Sequence, residues 1–302
     1  MKVSGVMQLR LRWATMADNG SFFGSRSMSV HSQVRRVTVP QLMSFKGARK
    51  IAALTAYTAP IARLLDEALD MILVGDSTAM VGYALPDTLS ISVDTMSAHA
   101  AAVVRATSQA CVIVDMPFGS YQQSPAQAFA NAASMLAASG VSGVKLEGGQ
   151  PLAETTRFLV DRGIPVLAHV GLMPQYMNTM GGFKAQGMTD AAARRILEDA
   201  RAHAQAGAFG VVLEGISEPL AREITAALDI PTIGIGASPA CDGQILVTED
   251  ILGLSGDRIP KFAHRFADVG QVIQDAVRDY AQSVREGTFP TLDHCFGVRR
   301  QN

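Results

Sequence analysis

From about residue 40 onward the chain alternates strand-length apolar runs with helix-length stretches, and that alternation restricts it to folds built on a parallel sheet. The runs are Lys50 to Thr55, Met71 to Val74, Cys111 to Val114, Gly143 to Leu146, Pro165 to Ala168, Gly210 to Leu213 and Pro231 to Ile235. An eighth, the least distinct, lies between Gln244 and Phe262. The intervening segments carry helix punctuation. Residues 60–69 read as a helix with Pro60 in its first turn. Ser124, Pro125 and Gln127 form a capping-box start, and Gly140 is a C-terminal stop. Another helix ends near Gly163, the Ala-rich stretch 190–206 closes at Gly207, Pro219 opens the next, and the last spans about 266–286. No linker or change of composition divides these units, so the expectation is an α/β fold, a single (β/α)8 TIM barrel. A doubly wound sheet would place a Gly-rich phosphate loop after its first strand. Thr55-Ala56-Tyr57-Thr58 is not one, and Gly234-Ile235-Gly236 comes late and misses the dinucleotide spacing.

Four of the runs end in an acid: Val74-Gly75-Asp76, Val112-Ile113-Val114-Asp115, Val144-Lys145-Leu146-Glu147 and Val211-Val212-Leu213-Glu214. A fifth, Val166-Leu167-Ala168-His169, ends in histidine. Charges at buried strand ends are costly unless paired, hydrogen-bonded or bound to a metal. A barrel gathers such ends at one mouth, where enzymes of this architecture keep their chemistry. Asp76, Asp115 and Glu147 can give a hard cation such as Mg²⁺ a partial oxygen shell with positions left for substrate. No His/Cys cluster has zinc spacing. Lys145 and Glu147 share a strand face, so a lysine beside the acids can hold a substrate carboxylate or polarise a carbonyl. Glu214 sits among apolar neighbours, which raises a carboxyl pKa and suits a general base. Together these describe a metal-dependent aldol-type reaction on a 2-keto acid. Each residue also has a plainer reading: Asp76 and Asp115 as helix N-caps, Lys145 with Glu147 as an ion pair, His169 as a core histidine.

A formal charge of −1 gives no general attraction to nucleic acid or anionic lipid, and no apolar run approaches a membrane span. Cys111, Cys241 and Cys295 are scattered without a C-x-x-C pair and read as reduced thiols, which fits the cytoplasm. Residues 1–38 stand apart, with Lys2, Arg10, Arg12, Arg26, Arg35 and Arg36 against the lone acid Asp18. They read as a basic, disordered extension preceding a catalytic domain at 39–298. A mitochondrial transit peptide is the alternative reading of that composition.

The ordered motifs Thr55-Ala56-Tyr57, Val74-Gly75-Asp76-Ser77, Asp115-Met116-Pro117-Phe118 and Val144-Lys145-Leu146-Glu147-Gly148-Gly149 resemble the ketopantoate hydroxymethyltransferase family. His169-Val170-Gly171-Leu172 with Pro174-Gln175, Gly181-Gly182-Phe183-Lys184, Gly234-Ile235-Gly236-Ala237, Asp242-Gly243-Gln244 and Ile259-Pro260-Lys261-Phe262 extend the resemblance from about Val39 to Phe296. It implies a TIM barrel of the phosphoenolpyruvate mutase/isocitrate lyase type. It also implies transfer of a hydroxymethyl group from 5,10-methylenetetrahydrofolate to 3-methyl-2-oxobutanoate, giving 2-dehydropantoate on the route to pantothenate. By position it implies Asp76, Asp115 and Glu147 at a Mg²⁺ site, Glu147 through water. Asp76, Ser77, Asp115 and Lys145 would contact the keto acid, with His169 on the substrate side and Glu214 as proton acceptor. The implied assembly is a homodecamer, a pentamer of dimers. Met188 and Ser238 depart from the family pattern, where arginine and glycine are usual. Two rivals stay open. One is another keto-acid C–C lyase or mutase on the same barrel, although the Lys-Lys/Arg-Cys-Gly-His loop typical of that group is missing. The other is a non-catalytic keto-acid-binding barrel.

Overall fold

Valine- and isoleucine-rich runs without polar alternation must be buried on both faces. The structure, a computed structural model describing residues 35–256 and 259–297, achieves this in a closed eight-stranded parallel barrel. The strands are β1 (Ile51–Thr55), β2 (Met71–Val74), β3 (Cys111–Asp115), β4 (Gly143–Glu147), β5 (Val166–Gly171), β6 (Gly210–Glu214), β7 (Thr232–Ile235) and β8 (Gly243–Leu246). They pair in chain order, and β8 returns to β1. β2 to β5 are buried at every position. The expected eighth strand is therefore present at the N-terminal end of its predicted range. β3, β4, β5 and β6 run on through their terminal acid or histidine instead of stopping before it.

Strand parity sorts the side chains. Val112, Val114, Val144, Leu146 and Val166 join one cluster beneath the outer helices, and Ala168, Val170, Val211 and Leu213 join a second. The opposite parity, Cys111, Ile113, Leu167, Val212, Ile233 and Ile245, fills the barrel interior. Leu42 of α1 (Val39–Ser44) is part of that interior cluster, so this helix stoppers the N-terminal end of the barrel.

The remaining helices follow the strands: α2 (Ala59–Leu65), α3 (Thr78–Val81), α4 (Val93–Ala106), α5 (Pro125–Ser139), α6 (Ala153–Val160), α7 (Met177–Met180), α8 (Asp190–Gln205), α9 (Glu218–Ala227), α10 (Thr248–Leu252) and α11 (Val269–Arg285). Helices α1, α3, α4, α7 and α10 were not anticipated. α4 lies behind a long βα loop that carries no strand signal. At α5 the Ser124 hydroxyl caps Gln127 N–H and Gly140 ends the helix in the left-handed region, as read from the sequence. The reciprocal half of the capping box does not form. The Gln127 amide accepts instead from Gln123 N–H and donates to Gly119 O.

Residues 1–34 lie outside the described residues, and with them most of the basic extension. Arg36 is described: its guanidinium donates to the carbonyls of Val104, Thr107 and Ala110. Val37 N–H donates to Gln109 O. Among the described residues no helix is long and apolar enough to cross a membrane.

Candidate active site at the C-terminal mouth of the barrel

Inward parity carries from the barrel interior to the strand ends. Asp115 continues the Cys111–Ile113 row, Lys145 and Glu147 share one face of β4, and His169 follows Leu167. Asp115 is registered against Lys145 and Glu147 against His169. Asp76 follows β2 after Gly75. Glu214 closes β6 opposite Gly171, whose φ of 99° and lack of a side chain admit the Glu214 carbonyl; a Cβ there would lie 2.4 Å from it. All seven residues named from sequence, Asp76, Ser77, Asp115, Lys145, Glu147, His169 and Glu214, line one cavity of about 1600 Å³.

Lys145 is the hub. Its Nζ lies 3.1 Å from Asp115 Oδ1, 3.1 Å from Glu147 Oε1 and 3.2 Å from His169 Nδ1. His169 Nε2 donates to Leu172 O at 2.8 Å, which fixes the proton on Nε2 and turns the Nδ1 lone pair toward Lys145. The same Nε2 is 3.5 Å from Glu214 Oε2. Asp115 Oδ2 accepts from Asp76 N–H, and the Tyr57 hydroxyl is 2.8 Å from Ser77 Oγ. These contacts displace two of the plainer readings: neither Asp76 nor Asp115 caps a helix, and the Lys145–Glu147 pair is one edge of a larger cluster, while His169 is also a buried, hydrogen-bonded histidine.

Burial and mutual charge set the protonation. Burial, with the charges of Asp115 and Glu147, holds Asp76 well above the usual carboxylate range. Burial also raises Asp115, with Lys145 pulling the other way. Burial would lower Lys145, but Asp115, Glu147 and Asp76 outweigh it and keep it an ammonium. Burial works to raise Glu147 as well, yet Lys145 and His169 bring it down to about 2. Glu214 is different. Burial raises it to about 7, with His169 opposing and Glu147 adding to the rise. It keeps 16% of its side chain open to the cavity, so it can exchange a proton with a bound molecule.

Three carboxylates against one ammonium leave the ionised inner cluster two negative charges in excess, a fit for a divalent cation. Asp115 Oδ1 is buried and has no hydrogen bond, since Lys145 approaches it outside bonding geometry. Hard oxygen donors suit Mg²⁺. Among the described residues no three acidic, histidine or cysteine side chains are spaced to chelate an ion by themselves. The arrangement therefore fits a cation held by one or two carboxylates with the rest of its shell from water and substrate. Both Glu147 oxygens are engaged, Oε1 by Lys145 and Oε2 by Gln175 N–H, which suits an indirect role.

Sequence reading gave no role to Gln175, Tyr121 or Tyr57, all buried beside the acids. Gln175 and Tyr57 lie inside the recognised motifs, but uncharged side chains give no signal of cost. Tyr121 lies in the loop after β3, where only the fold brings it to Glu147. Glu249, at the start of α10, also faces the cavity with a buried Oε2 that has no partner. Ser238 is buried in the loop after β7, where its hydroxyl meets Glu218 and caps Ala240 N–H; Met188 is 70% exposed.

Comparison with known proteins adds an independent line. A family model described as ketopantoate hydroxymethyltransferase matches residues 36–292. The chain is 56% identical over 270 residues to a 3-methyl-2-oxobutanoate hydroxymethyltransferase 1 of Burkholderia lata, covering 89% of this chain and 95% of that one. It is 57% identical over 272 residues to the 3-methyl-2-oxobutanoate hydroxymethyltransferase of Bordetella petrii, covering 90% and 99%. Among solved structures, 2,3-dimethylmalate lyase, a PEP mutase/isocitrate lyase superfamily member, superposes with a TM-score of 0.53 at 20% identity, over 86% of this chain and 92% of that one. At that identity the likeness speaks for the barrel alone.

Proposed function

The chain belongs to the ketopantoate hydroxymethyltransferase family, and on that premise we propose that it transfers a hydroxymethyl group from 5,10-methylenetetrahydrofolate to 3-methyl-2-oxobutanoate, giving 2-dehydropantoate for pantothenate synthesis. The observation that carries the reading is Glu214: a carboxylate with a pKa of about 7, facing the same cavity as a fixed ammonium and three further acids.

Lys145, held cationic, pairs with the carboxylate or keto oxygen of the keto acid. Ser77, oriented by the Tyr57 hydroxyl, offers a second polar contact. Glu214 then takes the proton from C3, since near neutral pH it is half ionised and basic enough to accept one. His169, its ring locked between Lys145 and Leu172 O, lies beside Glu214 and steadies the carboxylate. Held by Asp76 and Asp115, with Glu147 acting through water, Mg²⁺ would supply Lewis acidity to the keto oxygen as negative charge develops. C3 forms its new bond to the one-carbon unit, both bonds from that carbon to the folate nitrogens break, and water supplies the hydroxyl; the proton taken from C3 and the remaining proton of the water leave on tetrahydrofolate. A cavity of about 1600 Å³ exceeds what one small ligand needs (pockets for one drug-sized ligand run to roughly 1,000 Å³), which supports a second, larger substrate.

Self-association belongs to the same reading. α11 buries none of its residues, yet Ile273, Val277, Tyr280 and Val284 recur on one face at spacings of three and four. An apolar stripe of this kind supports packing against another copy of the chain, as in the homodecamer implied by the family resemblance.

The test is an assay with 3-methyl-2-oxobutanoate, methylenetetrahydrofolate and Mg²⁺. 2-Dehydropantoate should form and should cease forming when a chelator is added. No product with both substrates and metal present would refute the activity, and product formation indifferent to chelation would refute the metal.

A further inference from the structure

Gln175 follows β5 in a single 3-10 turn, Pro174–Tyr176, and is 3% exposed. Its side-chain amide uses its full hydrogen-bonding capacity inside the acidic cluster. Nε2 donates to Asp76 Oδ2 at 2.8 Å and to Met116 O at 3.0 Å. Oε1 accepts from the Tyr121 hydroxyl at 2.6 Å and from Gln122 Nε2 at 3.2 Å. The orientation of the amide is thereby fixed, because turning it over would set its oxygen against Asp76 Oδ2 and the Met116 carbonyl. Its backbone N–H donates to Glu147 Oε2 at 3.1 Å. One residue thus ties the ends of β2 and β4 and the residue after β3 to the loop after β5.

From this geometry we infer that Gln175 is a positioning residue: it sets the direction of the Asp76 and Glu147 carboxylates so that Asp76 can hold a divalent cation with Asp115 while Glu147 acts on it through water. Fixing one oxygen of Asp76 fixes the rotamer, and with it the direction of the other oxygen. Holding Glu147 Oε2 by the backbone and Oε1 by Lys145 leaves that carboxylate no rotational freedom. The neutrality of the amide matters. Lys145 already cancels one negative charge, and a second cationic side chain at position 175 would halve the excess of two that attracts a divalent ion. An amide supplies the donors without supplying charge. Hydrogen-bond partners that orient ligating side chains commonly govern affinity without touching the ion.

This inference rests on the metal reading proposed above, and the experiment separates the two. Mn²⁺ is titrated into metal-free full-length protein and the free ion is followed by electron paramagnetic resonance. In Gln175→Met, which fills the same space without donors, the Mn²⁺ Kd should rise roughly 10- to 100-fold. Gln175→Asn keeps a neutral amide but, one methylene shorter, cannot reach Asp76 and the Tyr121 hydroxyl together. It should weaken binding as well, and it decides the matter should the Met variant not fold. In turnover the metal concentration for half-maximal rate should rise, with kcat largely recovered at excess metal. A residue that merely packed the loop would leave that split unmoved. Folded variants with wild-type Mn²⁺ affinity would overturn the positioning role alone. Wild-type protein that takes up no Mn²⁺ would overturn the metal reading and this inference with it.

Discussion

At the scale of single residues, two glutamates in one cavity are driven in opposite directions. Glu147 faces Lys145 and His169 and is brought down to about 2; Glu214 is farther from Lys145, and burial raises it to about 7. Such divergence separates a fixed charge from a group that can exchange a proton. The sign follows directly. The base form of Glu214 exists above its pKa, so kcat/KM should fall about tenfold per unit as the pH drops below about 7, and level off above it. A pH–rate profile checks this. Glu214→Gln should lower kcat by roughly 100-fold or more and erase that acidic limb, while calorimetry still detects keto-acid binding. Retention of both rate and limb in the variant would remove Glu214 from the base role. Asp76, Asp115, Lys145, Glu147, His169 and Glu214 could be named from the sequence because ionisable groups at the ends of apolar runs are conspicuous, whereas Ser77 rested on the family resemblance. Gln175 and Tyr121 were not legible as site residues, since an amide or phenol acquires meaning only from what it meets across the mouth.

At the scale of elements, the first seven strands were legible to within three residues, because burial on both faces forces continuous apolar runs, whereas the short β8 was placed only within a wide range. Helix ends were less so. α2 stops at Leu65, and Asp66, its C-cap, turns its carboxylate onto the backbone N–H groups of Ser108, Gln109 and Ala110 just before β3. Burial would raise the Asp66 pKa, but those backbone donors prevail and hold it below its ordinary value. The associated stability is present above the unfolded value (about 3.9) and is lost as pH falls through the lower folded value. Asp66→Ala should leave buried donors unpaired and cost at least about 2 kcal/mol. Urea unfolding at pH 7 reads that loss, and the difference from wild type should shrink on acidification below pH ~4. An unchanged midpoint would show that water replaces the carboxylate at no cost. No local pattern pairs Asp66 with residues more than forty positions away; closure of the barrel's N-terminal end does.

At the scale of the whole molecule, the barrel is sealed at one end by α1 and open at the other, while α11 has an apolar face that the described residues leave unburied, with only Phe289 packed on its Tyr280. Tyr280 is 60% and Val277 59% exposed, an arrangement that a second copy would relieve. Val277→Asp with Tyr280→Asp should therefore reduce the mass seen by light scattering while the barrel's thermal transition persists. If wild type and variant share one mass, α11 is not the contact. The periodicity of α11 was visible in the sequence, but amphipathic helices of a barrel normally bury that face on their own strands. Only the structure shows that this one does not.

The order of the strands, the apolar core and the five ionisable strand ends were determined by the sequence itself. Hydrophobic periodicity and the cost of burying charge are local properties that survive without knowledge of distances. The tertiary structure decided the rest: that Lys145 sits between Asp115 and Glu147, that His169 bridges toward Glu214, and that one amide spans the mouth to Asp76. Those relations depend on strand register and barrel closure, which bring together residues as far apart in the chain as Asp76 and Glu214. Coulombic and hydrogen-bond energies change steeply over the ångström-scale separations that only closure fixes.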